Sequence, residues 1–135
     1  MKHTFTVKKL PAEPIVLCQM LPDYDAKRDI DDSDSAQRAF LSQTDEPLFF
    51  ITDVSNVAID FTDIMMTANR GARGDNAPWH HPMTREKIFV SPLPAVKMAA
   101  EGLNSPAFGM ANVKVFATLD EALTFCREQI AIQAK

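Results

Sequence analysis

No stretch of the chain is apolar for the roughly 20 residues that a membrane-crossing helix requires. The opening MKHTFTVKKL alternates instead of placing an apolar block after a charged one, so it does not read as an export signal. Both absences predict a cytoplasmic domain with no membrane span. Cysteine is scarce too. Cys18 and Cys126 stand far apart and form no CxxC pair, which predicts two buried, reduced thiols and neither a metal site nor a redox centre. No basic run is longer than the two residues of Lys8-Lys9, and the net charge is −4. A nucleic-acid partner is therefore not expected, because phosphate binding needs concentrated positive charge. GxSxG, P-loop and HExxH patterns are missing, as are internal repeats and low-complexity tracts. Catalysis has no template here, and no cofactor is implied.

What is present suits one folded unit. A chain of 135 residues with 46% apolar and 24% charged side chains is expected to form a single domain over residues 1–135 with a real core. Phe5 and Val7 alternate with polar neighbours as in a half-buried strand. Pro11 and Pro14 break that run, and Ile15 to Met20 resumes as a more apolar strand, so the pair reads as an antiparallel hairpin. Leu21 to Asp34, with six aspartates, reads as a solvated loop; it lacks the glycine and closing glutamate of a calcium loop. Ser33 or Asp34 then caps a helix whose stripe is Ala36, Ala39, Phe40 and Leu41, ended by Asp45-Glu46-Pro47.

Leu48 to Val54 is apolar on both faces, the mark of a central strand with helices on either side. A helix follows from about Phe61 to Ala72, then a long loop from Gly71 to Arg85. Lys87 to Ser91 reads as a short strand. Leu93 to Leu103 forms a helix with Val96, Ala99, Ala100 and Leu103 on one face. Val113 to Phe116 is the last strand, and Thr118 with Glu121 forms a capping box for a final helix. That helix faces inward through Leu119, Ala122, Leu123, Phe125, Cys126 and Ile130. The fold class is α/β: a mixed sheet of about five strands with flanking helices, in the order ββαβαβαβα.

Three segments resemble the STAS domain of bacterial anti-sigma-factor antagonists and sulfate-transporter tails. Phe49-Phe50-Ile51-Thr52-Asp53-Val54-Ser55-Asn56-Val57 looks like the family's strand ending in Asp, then a small residue, then a valine. Asp60-Phe61-Thr62-Asp63 stands where the family has Asp-Ser-Ser-Gly or Asp-Ser-Thr-Gly at a helix start. Val113 to Leu123, VKVFATLDEAL, resembles its last strand, cap and helix, and Ala99 to Leu103 its preceding helix ending in Gly-Leu. The resemblance covers most of the chain loosely, in an architecture shared with the lipid-binding CRAL-TRIO domain. It implies a non-enzymatic regulatory or protein-interaction module in which Thr62 is the phosphoacceptor position. Phe61 departs from the family's small hydroxyl residue and Asp63 from its glycine, so the phosphoacceptor motif is degenerate.

The expected partner surface is Asp60, Phe61, Thr62, Asp63, Met66, Trp79, His80 and His81. Asp60 reads as the helix N-cap and Asp63 as a first-turn acid complementing the helix dipole. A phosphate on Thr62 meets the positive helix end but is repelled by both acids. Met66 beside Phe61 either packs inward or forms a soft apolar patch suited to a protein or a small apolar, lipid-like ligand. Trp79 reads as the anchor of its loop, with His80 and His81 beside it; adjacent histidines lack the ligand spacing of a zinc site. Arg70, Arg73 and Arg85 bracket the same loop as solvated charge. The partner is a protein of unknown identity or a second copy of the chain. A carrier of a small apolar ligand is the alternative, and an enzyme using His80 or His81 the third reading.

Overall fold

Strand pairing follows directly from where the apolar residues lie. A computed structural model describes residues 4–57, 62–63, 83–103 and 113–133. Its strands are β1 (Phe5–Lys9), β2 (Ile15–Met20), β3 (Leu48–Asp53), β4 (Thr84–Val90) and β5 (Val113–Phe116). They form one sheet in the order β1-β2-β3-β4-β5. The hairpin β1–β2 is antiparallel, and every other neighbouring pair is parallel. The mixed α/β sheet expected from periodicity is thus the observed one, with β3 at its centre. Every residue of β3 is buried, as a strand covered on both faces requires.

Helix α1 (Ala26–Gln43) packs on one face, where Tyr24, Phe40 and Leu41 meet Val16, Cys18, Met20, Leu48 and Phe50. Helix α3 (Leu119–Gln133) packs on the other, where Ala122 and Cys126 meet Ile15, Leu17, Phe49, Ile51, Ile88 and Val90. Leu119, Leu123, Phe125 and Ile130 complete that face, the stripe expected from the sequence. Thr118 Oγ1 accepts the Glu121 N–H at 3.2 Å, the first half of the capping box. Helix α2 (Pro94–Leu103) lies against β5 and buries Val96, Ala99 and Ala100. The steps β2 to β3 and β4 to β5 run in the same direction across the sheet. Right-handed crossovers therefore carry α1 and α2 to the same face.

Two boundaries differ from expectation. The acid-rich stretch is not a loop to Asp34: α1 starts at Ala26, with Asp25 as its N-cap. Asp25 is extended (φ −124°, ψ 115°) and its carboxylate accepts from the Lys27 and Arg28 N–H groups. Asp29 reciprocates by accepting the Asp25 N–H at 3.0 Å, so two acids close the helix start much as a capping box does. The inward stripe is Ile30, Ser33, Gln37 and Leu41, all buried. Two of the four are polar, and that hid the helical period. Ala39, expected inward, is exposed.

Strand β4 begins at Thr84, so Thr84 and Arg85 belong to the sheet and not to the preceding loop. Arg85 is the extra residue of a β-bulge, since Leu48 pairs with Thr84 and Phe49 with Glu86. Its guanidinium lies 4.6 Å from the Phe49 ring centre, half-buried instead of solvated. The two cysteines are free and buried on opposite faces of the sheet, which rules out a bond between them. No helix among the described residues is long and apolar enough to cross a membrane.

Candidate functional site

The parallel strands all end at one edge of the sheet, and there β3 and β4 close with their own side chains. Asp53 is buried at the last position of β3. Its Oδ1 accepts the Ser55 N–H at 3.0 Å and the Ser55 hydroxyl at 2.5 Å. This is an Asx-type turn, so the acid singled out in the sequence shapes the strand end. The Val54 N–H donates to the Val90 carbonyl at 3.0 Å, and half-buried Val57 packs back onto the α1 face. On β4, Ser91 repeats the device: its Oγ accepts the Leu93 N–H at 3.2 Å just before α2. Leu93 is 41% exposed at that edge.

Beyond Val57 the structure describes Thr62 and Asp63, both with helical backbone. Thr62 is exposed. Asp63 is half-buried and held by an interaction of its own. Of the helix expected from about Phe61 to Ala72, these two residues are described and have helical backbone; the rest lies outside the described residues. A hydroxyl open to solvent therefore sits directly before a fixed carboxylate. Asp60, Phe61, Met66, Trp79, His80 and His81, with Arg70 and Arg73, lie outside the described residues.

Parallel strands taken in the order β2 to β5 never reverse direction across the sheet. Ligand crevices in open α/β sheets form where the strand order reverses. These four strands have no such point. Among the described residues no three His, Cys, Asp or Glu side chains are placed to hold a metal ion.

A second feature lies inside the sheet. Lys87 pairs with Phe50 across β3–β4 and so projects onto the α1 face at 3% exposure. Its ammonium lies 4.6 Å from the Phe50 ring centre and 5.0 Å from that of Phe89, and it donates to Thr52 Oγ1. Burial lowers its pKa to about 8, against the opposing pull of Cys18 and Asp34. The Cys18 thiol, buried on the same face but on β2, across β3, is pushed up to about 11. Two cation–π contacts return about 0.5–2 kcal/mol each. Burying an ammonium costs several kcal/mol, so the rings offset only part of it.

Sequence reasoning missed this lysine because KIFVS reads as an apolar strand with a polar start. The signal was parity. In a strand buried on both faces, Ile88 and Val90 fill one side, which sends Lys87 and Phe89 to the other.

Compared with known proteins, the chain matches no family model, and no curated protein matches it. The fold and the carboxyl edge thus define the class on their own: a single-sheet α/β domain with an exposed hydroxyl and a fixed acid beyond its central strand.

Proposed function

We propose that the chain is a non-enzymatic regulatory module of the STAS type, which binds a protein partner through the helical turn beyond β3. The observation that carries this reading is Thr62: exposed, helical in backbone, and followed by Asp63. The order of elements and the unbroken run of parallel strands agree with the resemblance in Phe49 to Val57 and in Val113 to Leu123. Asp63 gives the surface a permanent negative charge, so the acidic form is the resting form and phosphate on Thr62 is opposed by repulsion. Self-association through the β1 edge is disfavoured, because Lys8 and Lys9 are exposed there and charged edges resist strand addition,.

Native mass spectrometry of the protein taken gently from its source is the direct test. The expected spectrum shows a complex with one defined protein and no phosphate on Thr62. Thr62→Arg is then expected to weaken that complex at least tenfold, about 1.4 kcal/mol, while leaving the melting temperature unchanged. A complex indifferent to Thr62→Arg and Asp63→Lys places the interface elsewhere and ends this reading.

A further inference from the structure

Four consecutive apolar residues stand exposed where β4 runs out: Pro92, Leu93, Pro94 and Ala95. Single apolar residues on a surface are ordinary, but a contiguous run points to a function. Leu93 is 41% exposed, and Met98, in the second turn of α2, is 71% exposed. Ala95 and Met98 are three apart and so share one side of the helix, while Val96, Ala99 and Ala100 are buried on the other. Folding alone does not call for this surface. Leu93 immediately precedes α2, and its carbonyl accepts the Val96 N–H at 3.1 Å. Serine, threonine, aspartate or asparagine is preferred at such a position, where the side chain caps free N–H groups. A leucine there forgoes the cap and leaves apolar area in water.

The charges along the same carboxyl edge select the occupant. Each helix that follows a parallel strand begins at that edge, and two of them open with acids: α1 with Asp25 and Asp29, α3 with exposed Asp120 and Glu121. Arg28 is already clasped by Asp29, and exposed Lys27 answers only one of these acids. On α2 itself, Lys97 and Glu101 offset each other. A negative edge beside an apolar run repels the phosphates of an anionic membrane. A second copy bringing the same edge face to face is repelled as well. We propose that Pro92 to Ala95, with Met98, dock a basic, apolar segment of a protein partner, whose apolar side chains cover Leu93 and Met98 and whose cations face the acids of this edge. Methionine suits such a contact, because its unbranched, polarisable side chain adapts to the shape set against it. The site stands on the start of α2 and does not need Thr62, so it goes beyond the reading above and either can fail alone.

The test uses the full chain and a short labelled peptide in which leucines recur at helical spacing among lysines, read by fluorescence anisotropy at pH 7. Saturable binding is expected, and it weakens as salt is raised. Two control peptides, with glutamate in place of lysine or serine in place of leucine, are expected to bind at least tenfold more weakly. The double variant Leu93→Ser with Met98→Ser is expected to melt no lower than the parent and to bind the basic peptide at least tenfold more weakly. Met98→Ser alone, at the more exposed position, takes its place should the pair fail to fold, and is expected to weaken binding several-fold. The proposal is overturned by any one of these results: no saturable binding, equal binding of either control peptide, undiminished binding in whichever variant folds, flotation of the chain with phosphatidylserine vesicles, or a dimer that the same variant dissolves.

Discussion

Lys87 holds its proton less firmly in the folded chain than in the unfolded one, since burial lowers its pKa from 10.5 to about 8. The unfolded chain therefore binds more protons between those values, and stability rises with pH from about 8 upward. The thiols act with the opposite sign. Burial lifts Cys18 from 9.0 to about 11 and Cys126 from 9.0 to about 12. Above pH 9 the unfolded thiols lose protons that the folded ones retain, and two thiols outweigh one lysine. Urea unfolding across pH 7 to 11 is expected to show a maximum near pH 9, about 0.5 kcal/mol above the value at pH 7.5. Lys87→Met is expected to abolish the rise and keep the fall. A rise that survives in Lys87→Met assigns the titration to another group. None of this was legible from composition. A lysine beside Ile, Phe and Val looks like the end of a strand until the facing strand and its register are known.

At the scale of single elements, α1 shows what pattern reading captures and what it overlooks. Its end before Pro47 and the inward Leu41 were readable, because a proline and a large apolar residue are unambiguous. Its start was not. Asp25 and Asp29 cap the first turn, and Ser33 faces inward with its hydroxyl 3.1 Å from the Tyr24 hydroxyl. A run of acids reads as solvated, yet here Asp25 is the cap, Asp29 is buried in the first turn, and Asp31 and Asp32 lie on the outer face. Arg28 clasps Asp29 through two nitrogens, at 2.9 and 2.8 Å, and holds its carboxyl below the usual carboxylate range. Asp29 therefore contributes stability that is present above its unfolded pKa of 3.8 and is lost as the pH falls below it,. Asp25→Ala removes the cap for the Lys27 and Arg28 N–H groups and is expected to cost about 1 kcal/mol. Chemical denaturation at pH 7 measures it directly. Asp25→Ser is expected to recover most of the loss, whereas a lost charge alone predicts no recovery.

The whole molecule is organised by β3, whose neighbouring phenylalanines face opposite ways. Phe50 belongs to the core under α1 and Phe49 to the core under α3. That arrangement was legible from Leu48 to Val54, where apolar residues on consecutive positions admit only a strand covered on both faces. The proposed partner surface was less legible, because it rested on a short motif and six of its eight residues lie outside those described. The two cores share one hydrogen-bonded sheet, so they are expected to melt together. Phe49→Ala and Phe50→Ala should each cost about 3–5 kcal/mol, a large share of the stability of a domain this size. Hydrogen exchange on each variant then separates two outcomes. If the sheet couples its faces, the amides of α1 and α3 lose protection in parallel whichever phenylalanine is removed. If Phe50→Ala loosens α1 and leaves α3 at parental protection, the domain is two independent layers, and β3 joins them without transmitting strain.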